Sequence, residues 1–348
     1  MKFKSHIKKI KRVNYVNFSR LNFTRLDKNE KIDNFRKKII SNLKDKINSN
    51  LLASYPEVSK LINLISKNFN LSVKNILLTA GIDGALKIII DALTEEKDKV
   101  VILDPTFAMT KIYCNLANLT ILKVNYDKNL RLNNVKLIQN LKKRPKLVIL
   151  SNPNSPTGTV IEKNYISEII KITKKRNIPL VIDEAYYEFH GKSLINYLKK
   201  NKNLFILRTF SKAFGIAGVR VGYIISSKQN IQYLSKFKPM YEVNSIGIEI
   251  AKLILKNKKI VKEYVRNTLL SKKKLLNFLK QKNVDYKDTR ANFVLIDKNK
   301  INKKIFNDCK KKNILISSKI FFNKFIRVTV GPQNEMRVFF NILKKNIN

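Results

Sequence analysis

The chain is poor in cysteine, histidine, acidic residues and long apolar runs, and each scarcity excludes something. Only Cys114 and Cys309 occur in 348 residues, at no paired spacing, so neither a disulfide framework nor a cysteine metal site is indicated. The two histidines, His6 and His190, have no sequence partners that suggest a metal centre or a nucleophilic triad. No apolar run reaches the roughly 18 residues of a membrane helix, and the start, Met1-Lys-Phe-Lys-Ser-His-Ile-Lys-Lys-Ile10, lacks the uninterrupted apolar stretch of a secretory signal. A soluble, cytoplasmic protein with no membrane partner is expected. Acidic residues number 25 against 71 Lys and Arg, a formal charge of +46. That charge raises a nucleic-acid-binding reading, since clustered cations release counterions from a phosphate backbone. Here they are mostly lysines spread along the whole chain among Asn and Ile, as at Lys142-Lys143, Lys272-Lys-Lys274 and Lys310-Lys-Lys312. Solvated helix faces are therefore their expected place, and nucleic acid is not the expected partner. Such a field would still speed the arrival of phosphorylated or carboxylate molecules, less so in salt.

The chain is long enough to bury a large core, as one α/β domain or a large domain with a smaller companion. Residues 1–25 lack periodicity and read as an arm. Asp33 can cap a helix to about Asn50, with Phe35, Ile39, Ile40, Leu43 and Ile47 at helical spacing, and Pro56 suits the first turn of a helix to about Phe69. Short β-rich runs follow near Ile76–Leu78, Val100–Leu103, Thr120–Val124, Leu147–Leu150, Leu180–Ile182, Leu204–Leu207 and Val221–Ile225, alternating with amphipathic helices. Several are apolar at consecutive residues, which marks strands covered on both faces, as in a mostly parallel sheet between helix layers. After Tyr241 the texture changes to lysine-rich helices near 245–257 and 259–282, short strands near 292–296, 314–317 and 325–330, and a closing helix from about Gln333. No internal repeat or low-complexity linker is present.

The most informative segment is Arg208-Thr-Phe-Ser-Lys212-Ala-Phe-Gly-Ile-Ala-Gly-Val-Arg220-Val-Gly-Tyr223, which sets one lysine among hydroxyls and glycines with an arginine eight residues on. Such a set can hold an anionic aldehyde by its phosphate while an amine bonds its carbon. Upstream, Val181-Ile-Asp183-Glu-Ala-Tyr186 ends an apolar run in a carboxylate, with a phenol three residues later. Asp183 thus falls at the C-terminal end of a buried strand, where open α/β sheets place ligands. Ala80-Gly81-Ile82-Asp83 follows a strand and opens an apolar helix, so its N–H groups and helix dipole suit a phosphate. Arg327 interrupts the apolar alternation of Phe325-Ile-Arg-Val-Thr-Val330, and a guanidinium there can grip a carboxylate through two parallel hydrogen bonds.

With Leu26-Asp-Lys-Asn-Glu30, Tyr55-Pro-Glu57, Asp104-Pro-Thr-Phe107 and Asn152-Pro-Asn-Ser-Pro-Thr-Gly158 added, the order of motifs closely resembles the fold-type I aminotransferases that use pyridoxal 5'-phosphate, within them the histidinol-phosphate aminotransferase branch. The resemblance runs from about Leu26 to the C-terminus. It implies an α/β large domain with a mostly parallel sheet between helices plus a smaller α+β domain: 1–45 as arm and part of the small domain, 46–243 as the large cofactor-binding domain, and 244–348 as the small C-terminal domain.

Residue by residue, the resemblance implies that Lys212 bonds the cofactor aldehyde and then shuttles protons, which requires a neutral amine, favoured by a cationic neighbour such as Arg220. It implies that Asp183 pairs with the ring nitrogen, Tyr186 with the ring oxygen, and Phe107 stacks on the ring. Gly81, Ile82, Asp83, Thr209, Ser211 and Arg220 would hold the phosphate, and Tyr55 would reach the phosphate in a neighbouring subunit, implying a homodimer with shared active sites. The family's asparagine before Pro-Thr-Gly is Ser155 here, so either Ser155 or Asn154 takes its contact with the ring oxygen. Arg327 would clamp a substrate α-carboxylate, and Asn29 would border the substrate. Ile82 and Gly84 depart from the family's usual residues, which removes a side-chain donor and leaves the backbone cradle.

The activity so implied is transfer of an amino group between an amino acid, glutamate with 2-oxoglutarate foremost, and a second amine or keto substrate, histidinol phosphate being the first choice. After Asn29-Glu30 the branch's usual Asn-Pro is replaced by Lys-Ile-Asp-Asn-Phe-Arg36, so the reaction is better defined than the substrate. Decarboxylation of a phosphorylated amino acid, and amino transfer in polysaccharide or phosphonate metabolism, stand as alternatives. A nucleic-acid-binding protein on such a scaffold stands as the rival of another class.

Overall fold

A computed structural model describes residues 4–10, 18–317 and 323–347; parts of the expected N-terminal arm, 1–3 and 11–17, lie outside them. The central sheet is built from β2 (Ile76–Thr79), β3 (Lys99–Asp104), β4 (Thr120–Asn125), β5 (Leu147–Ser151), β6 (Leu180–Asp183), β7 (Leu204–Thr209) and β8 (Gly222–Ile225), preceded by a short β1 (Thr24–Leu26) that lies elsewhere. Its order is β2-β8-β7-β6-β5-β3-β4, with β8 alone running against the others. The consecutive apolar residues divide between two cores, as a period of two requires. Val101, Leu103, Leu180, Ile182, Leu204 and Ile206 join one hydrophobic cluster, whereas Val100, Ile102, Val181, Phe205 and Leu207 join another on the opposite face. A strand so covered cannot be shifted by one residue without exchanging its faces, which fixes register.

A third core gathers Leu26, Ile32, Leu275, Leu279, Val294, Ile296, Ile326, Val328 and Phe339. It underlies β9 (Tyr286–Asp288), β10 (Phe293–Asp297) and β12 (Phe325–Thr329), an antiparallel sheet of order β12-β10-β9, and the parallel pair of β1 with β11 (Ile314–Ile316). The early strand β1 therefore docks on the C-terminal part of the chain. The helix Lys258–Gln281 spans two cores, with Val261 and Tyr264 in the first and Leu275 and Leu279 in the third.

Two helix expectations need correction. Asp33 caps no helix: its carboxylate lies 2.5 Å from Lys31 Nζ, and the segment forms two shorter helices, Lys37–Lys44 and Ser49–Ala53. The break falls where Asn48 Oδ1 accepts the Leu51 N–H at 2.9 Å, a side chain starting a new helix rather than continuing the old one. Pro56 is not in a first helical turn either, because the next helix is Ser59–Phe69 with Val58 at its N-cap; Asn70, left-handed at φ 52°, ends it.

Candidate active site

A cavity of about 750 Å³ opens at the C-terminal ends of β6 and β7, lined among others by Asp183, Tyr186, Thr209, Ser211, Lys212 and Arg220 from the large sheet's loops, and by Asn29 and Arg327 from the third core's side. Sequence distances of up to 300 residues close here. The site stands where parallel strands deliver their last residues, the general location for ligands in open α/β sheets.

On one side lies an anion cradle. Thr79 ends β2 and its Oγ1 donates to Gly81 O at 2.8 Å, turning the chain into the helix Gly81–Leu93, whose first residues Ile82 and Asp83 line the cavity. Gly81 has φ 74°, and a Cβ added to it would lie 2.7 Å from Arg220 Nη2. A glycine is thus needed both for the backbone conformation and for the guanidinium to lie against it. Arg220, itself left-handed at φ 55°, donates through Nη1 to Ala217 O at 3.2 Å and Ser211 Oγ at 3.4 Å, so it ties this turn to the lysine loop. Thr209 Oγ1 accepts the Ser211 N–H at 3.1 Å, shaping the same loop.

At the floor sits Asp183, 5% exposed. Its Oδ1 accepts the Ala185 N–H at 3.0 Å and its Oδ2 the Ser151 hydroxyl at 3.2 Å. Burial pushes its carboxyl up to about 6, against the pull of those two hydrogen bonds and the positive charge of Lys212. It remains ionised at neutral pH and is poised for a cationic partner. Lys212 Nζ donates to Lys28 O at 3.1 Å and lies 5.8 Å from the centre of the Tyr186 ring. Phe107 and Ser155 complete this side of the lining.

The opposite side is held by Asn29, a buried hub at φ 59°. Its Nδ2 donates to Tyr186 Oη at 2.8 Å, its N–H to Thr329 Oγ1 at 3.0 Å, and its carbonyl accepts from Asn292 Nδ2 at 3.2 Å. One residue thereby joins the Tyr186 phenol, just beyond β6, to Asn292 at the entry of β10 and to Thr329 of β12. Arg327 donates through Nη2 to Asp27 O at 2.6 Å and stacks 5.7 Å from the Phe293 ring. Burial lowers its pKa against the opposing influence of Tyr186 and Asp27, and its Nε has no hydrogen-bond partner among the described residues.

Three expected residues stand apart from the cavity lining. Of the Asn154 and Ser155 alternatives, Ser155 lines the cavity, whereas Asn154 is fully buried, its amide bonded to Pro105 O at 2.9 Å, Thr157 Oγ1 at 2.9 Å and the Thr106 hydroxyl at 2.8 Å. Gly81 lies behind Arg220. Tyr55 is 72% exposed on the surface, stacked on Tyr241 with ring centroids 3.9 Å apart. The two histidines are elsewhere: His6 Nε2 is 3.2 Å from Leu116 O, and His190 ends the short helix Tyr187–His190.

Sequence reasoning missed two groups. Arg20, Arg25, Lys28 and Glu30 also line the cavity, carried there by β1, a strand too short to announce itself. Arg208, 1% exposed, donates through Nε to Glu184 Oε2 at 2.9 Å and through Nη2 to the Ser193 hydroxyl at 2.8 Å, its Nη2 lying 2.7 Å from the same carboxylate oxygen, and it lies 3.6 Å from the centre of the Tyr187 ring. The available signal was a charge near the end of the apolar run Leu204-Phe-Ile-Leu-Arg208. This pair clamps the residue after Asp183 to the residue before Thr209.

A cradle open only because residue 81 lacks a Cβ, a buried carboxylate, an adjacent lysine and a flat aromatic wall are the parts that a phosphorylated pyridine aldehyde requires. Residues 13–343 match the family of aminotransferases of class I and II. The chain is similar to the histidinol-phosphate aminotransferases of Clostridium novyi, 35% identical over 296 residues covering 83% of this chain and 81% of that protein, and of Caldanaerobacter subterraneus, 35% identical and covering 78% and 77%. In three dimensions it is similar to histidinol-phosphate aminotransferase from Sinorhizobium meliloti, solved in complex with pyridoxal 5'-phosphate, at TM-score 0.85 and 21% identity, with 99% and 98% of the chains covered. The chain belongs to the class I and II aminotransferases: a pyridoxal-phosphate-dependent transaminase of fold type I.

Proposed function

We propose that this transaminase exchanges an amino group between glutamate with 2-oxoglutarate and histidinol phosphate with its keto counterpart, working as a cytoplasmic homodimer. The relatives matched over most of their length, named for histidinol phosphate, support the substrate. The single observation that carries the reading is the cavity itself, where Lys212 faces Asp183 and Tyr186 on one side and arginines on the other.

In this reading Gly81, Ile82, Asp83, Thr209, Ser211 and Arg220 hold the cofactor phosphate, Asp183 its ring nitrogen, Tyr186 and Ser155 its ring oxygen, and Phe107 its face. Bound there, pyridoxal phosphate supplies an electron sink for the substrate carbon that bears the amine. Lys212 Nζ takes the proton from that carbon. Asp183, ionised and buried, keeps a proton on its ring partner through a charge-assisted bond that water cannot dilute. Arg327 grips the α-carboxylate of glutamate and so fixes which bond is presented to Lys212. Asn29, through Tyr186, ties the positions of the two substrate-facing walls together.

The dimer is supported by an exposed apolar group around the Tyr55–Tyr241 stack, which includes Leu52 at 63% and Met240 at 77% exposed. Apolar surface of this kind marks contact with another chain. We take 46–243 as the large unit, and 1–45 with 244–348 as the small one, the long helix Lys258–Gln281 linking them. No helix among the described residues is long and apolar enough to cross a membrane.

The test is turnover of purified protein with histidinol phosphate and 2-oxoglutarate. Stoichiometric glutamate without carbon dioxide is expected. Gas release without glutamate would instead make it a decarboxylase, and strict inertness toward histidinol phosphate would overturn the substrate.

A further inference from the structure

Among the described lysines only Lys31 and Lys272 are buried, at 7% and 5% exposed. Lys272 turns its ammonium to the carbonyls of Thr289 and Ala291, away from the cavity, whereas Lys31 lines the cavity. A cation taken out of water is costly unless it is paired, and this one is. Its Nζ donates to Asp33 O at 3.0 Å, lies 2.5 Å from Asp33 Oδ2, and stands 5.1 and 4.8 Å from the ring centres of Phe35 and Tyr264. Burial still lowers its pKa, against the hydrogen bond and charge of Asp33 and the charge of Glu335. The ammonium is thus an anchor held in a dry place, not a solvated charge. Lys31 also opens the stretch Lys-Ile-Asp-Asn-Phe-Arg36, where the chain departs from the branch's usual Asn-Pro.

The anchored stem lies across the turn that carries Lys212. In that turn the Gly215 N–H donates to Lys212 O at 3.1 Å and the Ile216 N–H to Phe210 O at 3.0 Å. Gly215 is left-handed at φ 78°, and a Cβ built on it would collide with Lys31 Cδ and lie 3.0 and 3.1 Å from Lys31 Cβ and Cγ. The turn lacks a side chain where the stem packs, so methylenes rest directly on backbone, a contact with little slack. The same segment meets the reacting end of the lysine, because Lys28 O accepts from Lys212 Nζ at 3.1 Å. The next residue, Ile32, packs on Gly331 just beyond β12, where an added Cβ would lie 2.8 Å from Ile32 Cδ1. Residues 31 and 32 are therefore seated between two glycines, one from each side of the cavity.

We propose that Lys31 is a positioning residue for Lys212: its stem, anchored by Asp33, Phe35 and Tyr264, holds the Gly215 end of the lysine turn and so directs the Lys212 amine into the cavity. This deepens the proposed function and rests on its reading of Lys212 as the proton-transferring group. Lys31 acts through the turn and not on cofactor or substrate. The stem does the positioning, and the charge serves to keep the stem in place.

The test compares full-length wild type, Lys31→Ala, Lys31→Met, Gly215→Ala and the double variant Lys31→Ala with Gly215→Ala. Two readouts are taken: backbone hydrogen exchange of the segment 210–216 without added cofactor, and kcat and KM of the holoenzymes for isotope exchange between glutamate and 2-oxoglutarate. Lys31→Ala is expected to speed exchange of the segment about tenfold and to lower kcat roughly 10- to 100-fold, the effect of a small misplacement of the reacting group, with KM nearly constant. Lys31→Met keeps the stem without the charge and should recover most of both. Gly215→Ala should harm wild type more than it harms Lys31→Ala, where the missing stem makes room for the methyl and the cost of the left-handed backbone is common to both. A Lys31→Ala protein that loses only thermal stability, a Lys31→Met protein as impaired as Lys31→Ala, or strictly additive losses would overturn the proposal. Should Lys31→Ala not fold, retained kcat in Lys31→Met with a lowered kcat in Gly215→Ala supports it and the reverse refutes it. If wild type catalyses no glutamate exchange, or Lys212→Ala retains it, the catalytic reading fails by itself. Hydrogen exchange then still decides the contact: faster in Lys31→Ala and restored in Lys31→Met supports it, and equal rates refute it.

Discussion

Replacing Arg208 by Met tests whether the buried ion pair under the active site is a clamp or an ornament. Arg208 and Glu184 are each 1% exposed; Glu184 also accepts the Ser193 hydroxyl at 2.8 Å and the Leu194 N–H at 2.7 Å. Glu188 Oε1 lies 3.9 Å from Arg208 Nη1, and burial pushes its carboxyl up to about 7 despite the arginine. Removing the cation leaves two carboxylates in a dry site, and breaking a buried pair on one side costs about 3–5 kcal/mol. Removing both partners is far milder, so Arg208→Met with Glu184→Leu should recover at least half of that loss. The pH dependence has a defined sign. A carboxyl whose folded pKa exceeds its unfolded value stabilises the fold below the unfolded pKa and loses that contribution as pH rises through the folded one. Without Arg208 the folded pKa of Glu188 rises further, so the loss should be smaller near pH 5, where that acid protonates easily, and larger near pH 8. Urea unfolding of the holoenzyme at both pH values measures this. A single-variant loss below about 1 kcal/mol, or a double variant worse than the single, would refute the reasoning.

Four further outcomes follow from the same geometry. Asp183→Asn removes the charge facing the ring nitrogen and should lower kcat by about 10²- to 10³-fold while the protein still takes up cofactor, checked by steady-state kinetics beside an absorbance titration. In wild type, affinity for the cofactor should fall as pH drops through about 6, because Asp183 becomes neutral there, and equilibrium dialysis across that range would show it. Gly81→Ala places a methyl 2.7 Å from Arg220 Nη2 at φ 74°, so cofactor Kd should rise about tenfold or more with thermal stability of the apoprotein reduced only modestly. Asn29→Ala frees the Tyr186 phenol and unties Thr329; a stability loss of about 1–3 kcal/mol accompanied by a raised KM for both substrates is expected, and unchanged kinetics would count against its linking role.

The large sheet was legible because each strand carries its own evidence: Val100 to Leu103 and Leu204 to Leu207 are apolar on both faces, and that pattern needs no knowledge of distant residues. Asp183 drew notice for a related reason, as the polar end of such a run, and Lys212 by its place among hydroxyls and glycines. What stayed hidden depends on contacts far apart in sequence. Arg25 reaches the cavity because three residues of β1 pair with β11 almost 300 positions later, and nothing local in Thr24-Arg25-Leu26 states that. Asn154 looked interchangeable with Ser155 until Thr106 and Pro105, from another loop, were found to consume its amide. Asp33 was misread because a capping residue and a salt-bridge partner look alike in sequence, and Lys31, two residues away, took it.

The central claim is that the Lys212 amine is the group that bonds the coenzyme beside Asp183. Borohydride reduction of the holoenzyme, followed by peptide mass spectrometry, tests it most directly. A single stable pyridoxyl-phosphate adduct on Lys212, absent from Lys212→Ala, is predicted. An adduct on another lysine, or none from protein that is otherwise folded and saturated with coenzyme, would contradict the account.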